Sequence, residues 1–318
     1  MNYMFTKSRT KQSPSQKMDT AFLGLCLICG LLVFVLMGGI LVSLTAESLP
    51  ALKRFGITFL YSQKWDPVAQ EFGAASSIFG TIMSTLIALV LATPLSFVIA
   101  LFLVELAPPF LSRIVGHAIT MLAAIPSIIY GMWGLFVFAP FIANHVQIPL
   151  SGKLGFLPLF QGPPMGVGML CAGIILALMI LPFISAVMRD VFMMVPSVLK
   201  EAGHGMGSTT WEVTRHITIG YGLRGLWGAM FLGLGRAIGE TMAVTFVIGN
   251  SHFISPSLFE AGNSIASTLA NEFTEASEPL YLSALIELGL VLFAITFLIQ
   301  FVSQIWIKKI QIRIGGGL

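Results

Sequence analysis

Six apolar blocks, each more than twenty residues long, leave this 318-residue chain little choice of fold. They run near 21–45, 79–104, 114–141, 165–188, 222–249 and 281–307. The hydrocarbon core of a bilayer is about 30 Å thick and a helix rises about 1.5 Å per residue, so about 20 apolar residues cross it. Lipid offers the backbone no hydrogen-bond partners, which limits a crossing segment to a helix or a closed barrel. Barrel strands need only about 10 residues. Composition points the same way: 56% of the residues are hydrophobic and 10% charged, against about 25% charged in soluble domains. The expectation is an all-α membrane protein with six transmembrane helices. It divides into an N-terminal segment 1–20, a membrane domain 21–307 with a long loop at 189–221, and a tail 308–318. The first block is longer than the 7–15 residues of a signal-peptide core, so it reads as an uncleaved anchor.

Charge placement orients the chain. With the N-terminus inside, twelve Lys and Arg fall on the inner side, including Lys7, Arg9, Lys11, Lys17 and Arg313. Four, Lys53, Arg54, Lys64 and Lys153, fall outside, and Arg236 lies within a block. Lys and Arg concentrate in cytoplasmic loops, so both termini are expected in the cytoplasm. The 251–279 segment carries Glu260, Glu272, Glu275 and Glu278 but no Lys or Arg, as an outer segment should. Together with 46–78 it gives a polar outer surface on which a soluble partner could dock. Cys26 and Cys29 form a C-x-x-C, but inside an apolar block and without a second Cys/His pair they read, like Cys171, as packing residues. No G-x-x-x-x-G-K-[ST] occurs, so the chain is expected to be no enzyme and to carry no cofactor of its own, any ATP and Mg belonging to another chain. Nothing in it points to nucleic acid.

The 189–221 loop carries the first functional signature. Pro196 and Ser197 start a helix, since proline fits a first turn that lacks N–H partners. Gly203, Gly205 and Gly207 are expected to break it, and Ser208-Thr209 to cap a second helix near Trp211. A helix–turn–helix of this kind is a knob that a partner's groove could grip. The stretch resembles the coupling loop of binding-protein-dependent ABC importer permeases, whose pattern is Glu-Ala-Ala, a Gly, and then Ile-x-Leu-Pro. Glu201, Ala202, Gly207 and Ile217 match it, while Gly203, Ile219 and Gly220 replace the second Ala, the Leu and the Pro.

The second signature is Gly233-Leu-Gly-Arg236-Ala-Ile-Gly-Glu240 in the fifth block. Arg236 and Glu240 stand i, i+4 and are expected on one helix face near mid-bilayer. A charge at that depth costs at least about 2.5–3.5 kcal/mol. One account is a structural ion pair, with Gly235 and Gly239 giving close contact to a neighbouring helix. The other places Arg236 on an anion pathway, since guanidinium stays charged and binds oxyanions in bidentate fashion. Glu240 would then hold Arg236 while the path is empty. In the third block Pro126 is expected to kink the helix. Glu105 and Glu287, near block ends, read as hydrated structural residues.

Residues 123–127 (Ala-Ala-Ile-Pro-Ser), 130–134 (Tyr-Gly-Met-Trp-Gly), 187–192, 233–249 and 271–273, together with the coupling loop, resemble the PstC-type permeases of bacterial high-affinity phosphate importers. The resemblance extends from the first block to the last. It implies the MetI-like fold of type I ABC importer permeases and phosphate as substrate. It also implies a second, PstA-like permease, an ATPase dimer inside and a phosphate-binding protein outside. Arg236 and Glu240 would belong to the translocation path, and Glu201, Ala202, Gly203 and Gly207 to ATPase coupling. The competing readings are a permease for sulfate or molybdate, an ion-driven secondary transporter using Glu240 and Glu287, and a non-transporting scaffold.

Overall fold

The computed structural model describes residues 14–315, with side chains over 18–309. Lys7, Arg9 and Lys11, the side chains of Lys17 and Arg313, and the outermost parts of the 1–20 and 308–318 segments lie outside the described residues.

Every regular element among the described residues is helical, and the only ladder contacts are two isolated bridges, Asp66 with Glu71 and Gly249 with Gly262. The chain forms two units, Met1–Glu47 and Ser48–Leu318. The described part of the first is the apolar portion of helix α1 (Pro14–Phe55), where Cys26 and Cys29 are exposed, unbonded thiols.

In the second unit, α2 (Thr58–Tyr61) leads to α3 (Ala75–Leu101), which ends in a π-helical turn at Phe102–Leu106. Then come α4 (Pro109–Ala123) and α5 (Ser127–Trp133). The helical path continues through π turns at Gly134–Phe138 and Ala143–Gln147, with α6 (Ala139–Ile142) between them and α7 (Ile148–Leu154) after them. A 3₁₀ turn at Pro158–Phe160 precedes α8 (Met169–Met193). The loop region holds α9 (Ser197–Gly205), α10 (Thr210–Val213) and a π turn at Thr214–Thr218. Beyond it lie α11 (Ile219–Ile238), α12 (Met242–Val247), α13 (Ile265–Glu272) and α14 (Pro279–Gly315).

Among the described residues, five helical stretches are long and apolar enough to cross a membrane, at Met18–Phe55, Ala75–Leu106, Ser127–Leu154, Met169–Met193 and Pro279–Lys309. The fifth apolar block of the sequence is instead a helix interrupted at 239–241, α11 followed by α12. The third block, expected as one span over 114–141, is divided. Pro126 has no N–H, so the Leu122 carbonyl loses its helical donor; the Ile125 N–H (3.3 Å) and the Tyr130 hydroxyl (3.2 Å) donate to it instead. The crossing stretch therefore starts at Ser127, and α4 stands apart as an amphipathic helix.

Helix α8 is the centre of the second unit. Ile175, Ile180, Ile184 and Phe192 are fully buried along it, and α3, α4, α11 and α12 pack around it. Close approach depends on small residues. On α3 these are Gly80, Ser84, Ala88, Ala92 and Ser96, all buried. A Cβ at Gly173 of α8 would stand 2.5 Å from Ile87 of α3. The first N–H groups of α8, orphaned by helix geometry, are met by backbone carbonyls of the chain after α12: Met169 donates to Glu260 and Leu170 to Leu258.

A second core joins the end of α1 to the start of α14, with Phe59, Phe72, Ile265, Leu285 and Leu288 buried together. Its cover changes the reading of Glu287. That residue is 4% exposed, with Oε2 unpartnered, rather than hydrated at a span end.

Candidate functional site

Arg236 sits in the last turn of α11, two residues before the helix ends at Ile238. Glu240 lies beyond it, in the middle of the 239–241 break that precedes α12. The expected i, i+4 pair on a continuous helix is therefore not formed. With the helix ended, Glu240 turns to the next one, and its Oε1 accepts from the Ala243 N–H at 3.2 Å. The Arg236 guanidinium carbon stands 5.4 Å above the Phe183 ring of α8. Among the described residues no carboxylate comes within ion-pair distance of Arg236.

Gly235 and Gly239 divide in the same way. A Cβ at Gly235 would meet the Gln300 amide of α14 at 2.5 Å, so this glycine does let helices approach. Gly239 is exposed and touches no neighbour.

Around the break, α5 packs on α12: a Cβ at Gly131 would meet the Phe246 ring at 2.8 Å and the Ala243 backbone at 3.0 Å. Tyr130, the residue before Gly131 on α5, donates its hydroxyl to the Leu122 carbonyl at 3.2 Å. The Arg236 guanidinium thus lies over an aromatic face of α8, at the end of a helix that gives way to a non-helical backbone segment. Such backbone is tolerated at membrane depth only where protein buries it or where it lines a water-filled cavity. Sequence reading missed Phe183 and Tyr130. The spacing of Tyr130 four residues after Pro126 is the one local sign of its bond across the break.

The 189–221 loop is built largely as its residues suggest. Helix α9 starts at Ser197, directly after Pro196. Thr209 caps α10 in a reciprocal capping box, its hydroxyl accepting from the Glu212 N–H while Glu212 Oε2 accepts from the Thr209 N–H. The Thr209 N–H and the Thr209 hydroxyl both donate to Glu212 Oε2 at 2.8 Å, and together they hold the Glu212 carboxyl below the usual carboxylate range. The helix break differs from expectation. Gly203 and Gly205 lie inside α9, and only Gly207, at φ +87°, ends it. Gly203 serves packing: a Cβ there would meet Ile217 Cδ1 at 2.8 Å and Val213 Cγ2 at 3.0 Å. Glu201 and Ala202 face outward beside exposed Met206 and Trp211. A groove of about 410 Å³ runs along this knob, lined by Leu199, Ala202, Gly203, Met206, Ile217 and Tyr221. A second groove, of about 380 Å³ between α3 and α11, has Phe97, Leu226, Trp227 and Met230 in its walls and no charged side chain, so it offers an anion nothing.

Glu105 is not a hydrated span-end acid. Its Oε1 accepts from Lys200 Nζ of α9 at 2.6 Å and from the Thr218 hydroxyl at 2.9 Å.

At the opposite end of the unit, Glu272 of α13 accepts from Trp65 Nε1 and the Tyr281 hydroxyl, both at 2.6 Å, and pairs with His252 Nε2 at 2.9 Å. His252 also stacks on Trp65 with the ring planes 6° apart. Burial pushes the Glu272 carboxyl up, but the hydrogen bonds outweigh it and hold the group below the usual range.

The chain is 52% identical over 303 residues to the phosphate transport system permease protein PstC of Mesorhizobium japonicum, covering 94% of this chain and 92% of the relative. It is 51% identical over 312 residues to that of Haemophilus influenzae, covering 97% and 98%. No protein-family model matches. Among solved structures, a bacterial alginate ABC transporter bound to its alginate-loaded periplasmic protein superposes with a TM-score of 0.61 at 14% identity, over 90% of this chain and 93% of that one. The inward-facing MetNI methionine ABC transporter gives 0.54 at 18%, over 77% and 99%. These likenesses carry the fold, the MetI-like architecture of type I importer permeases. The sequence relatives carry more, because about half of the residues are identical over nearly the whole length of both chains: the chain belongs to the PstC family of phosphate transport system permease proteins.

Proposed function

We propose that this chain is the membrane subunit of an ATP-driven importer, and that it passes inorganic phosphate across the bacterial inner membrane by alternating access. The observation that carries the reading is the break at 239–241, with Arg236 on one side, bare of any carboxylate partner among the described residues, and Glu240 on the other. A guanidinium held over an aromatic ring keeps its N–H donors for an oxyanion. Glu240, on a hinge rather than beside Arg236, is the group that meets a protonated P–OH, which sulfate lacks.

The α9–α10 knob is the proposed docking point for a separate ATPase dimer, which binds ATP and Mg. Glu201 and Ala202 are presented outward, Gly203 lets α9 lie flat on the Val213 and Ile217 side chains, and Gly207 makes the turn. A second, PstA-like permease completes the pathway, and a phosphate-binding protein delivers substrate at the outer end, where the 64–71 and 250–278 segments meet. The knob is then cytoplasmic, as are both termini. ATP binding and the docked binding protein supply the differential binding that an alternating equilibrium needs.

The test is labelled-phosphate uptake at low external concentration in cells lacking the chain. Wild type restores it; Glu201→Ala, present in the membrane, does not. Uptake that is indifferent to the chain while sulfate or molybdate uptake depends on it would reassign the substrate, and uptake abolished by an uncoupler without any ATP requirement would reassign the energy source.

A further inference from the structure

The coupling loop needs a path by which its movement reaches the spans. Apolar contacts between α9 and the elements below it, Gly203 on Val213 and Ile217, can slide past one another without losing much. A charged tie cannot. Among the described residues there are three ion pairs, and one of them joins the loop to a span: Lys200–Glu105. It is sheltered, with 21% of the Lys200 side chain and 10% of the Glu105 side chain exposed. Loss of either partner would leave a charge stranded where water reaches it poorly.

The same carboxylate oxygen has a second donor, the fully buried Thr218. Three elements therefore meet at one atom. Glu105 belongs to the π turn closing α3, Lys200 to α9, and Thr218 to the π turn from which α11 rises toward Arg236. Lys200 directly precedes Glu201, so the outward-facing docking residue and the inward tie sit on adjacent positions of one short helix.

We propose that Glu105 is the positioning residue that makes α3 and α11 move as one with the coupling helix, through its shared hydrogen bonds to Lys200 and Thr218. A shift of α9 then displaces the base of the Arg236-bearing helix and the end of α3 together, instead of deforming the loop between them. This rests on the importer reading and names the link inside it.

The experiment uses the whole complex, with its partner permease, ATPase and binding protein, reconstituted in vesicles, and reads phosphate moved per ATP hydrolysed. Glu105→Gln keeps an acceptor oxygen but removes the charge. It is expected to leave binding-protein-stimulated ATP hydrolysis within about twofold of wild type and to lower phosphate moved per ATP by about fivefold or more, the size of a modest coupling energy. The charge swap Glu105→Lys with Lys200→Glu restores the ratio at least in part, and Thr218→Val lowers it less than Glu105→Gln does. If the ratio is unchanged in Glu105→Gln, or if hydrolysis and transport fall together so that the ratio holds, Glu105 is only a structural anchor and the inference is overturned. If the wild-type complex moves no phosphate with ATP, the importer reading falls and takes this one with it, an outcome the wild-type arm alone identifies.

Discussion

Glu272 and Glu240 are both carboxylates at the edge of short helices in a mostly apolar chain, and their surroundings are opposites. Glu272 is filled: an indole, a phenol and an imidazole from three separate parts of the chain converge on its two oxygens. Glu240 accepts one hydrogen bond, from the backbone three residues on, and its expected cationic partner faces a phenyl ring instead. A polar network with every member satisfied fixes geometry. A carboxylate with spare capacity and a cation without an ion-pair partner, on the two sides of a helix break, are what the proposed pathway requires. The first is architecture, and the second is the proposed pathway.

The largest effect that separates the two regions comes from Arg236→Gln. A hydrogen bond to a charged group contributes about 1.5–3 kcal/mol. Two of them to one phosphate make the expected loss of uptake at least about a hundredfold, with the chain still inserted and its thermal stability close to wild type. Uptake near normal would remove the contrast, since the cation would then be mere packing.

The next effect is a matched pair of substitutions. Glu272→Gln keeps one acceptor oxygen but points an NH₂ at a former donor, and thermal unfolding in detergent should show a loss of about 2 kcal/mol with phosphate-over-sulfate preference intact. Glu240→Gln should change stability by less than about 0.5 kcal/mol while reducing that preference in uptake competition. If the two variants exchange behaviours, the assignment of architecture and pathway is reversed.

The smallest effect is in pH. The Glu272 carboxyl is held below its ordinary value, so its stabilisation is fully present above about 4.3 and is lost as pH falls through the lowered folded-state value. The stability gap between wild type and Glu272→Gln should therefore be constant from neutrality down to about pH 5 and close below it. A gap that closes already near neutrality would remove the Glu272 carboxylate as the source of the network's strength.

What the sequence reveals and what it hides follow one physical division. Local features read true: the start of α9 after Pro196 and the Thr209 cap three residues ahead of Glu212. Each depends on neighbours within a turn. The Arg236–Glu240 face was misjudged because apolar composition runs unbroken through 222–249, and nothing local says that Gly239, unlike Gly235, ends a helix. Gly235 is held by Gln300 and Gly203 by Ile217, and only the folded chain supplies those contacts. Trp65 and Glu272 are 207 residues apart, and Glu105 and Lys200 are 95 apart. Ties of that span are tertiary, so a single sequence offers the residue types without the pairing.

The π turns carry a consequence for chain length. A helix advances about 100° per residue, so one residue removed from the regular part of α11 ahead of Arg236 turns that side chain by about that angle, off the Phe183 face. A π turn holds one residue more than the helical path around it requires. Single-residue gaps falling within Thr214–Thr218 or Gly134–Phe138 can be absorbed by tightening that turn to an α turn, leaving the flanks in phase. These turns are where the chain can change its length without turning its charged residue away.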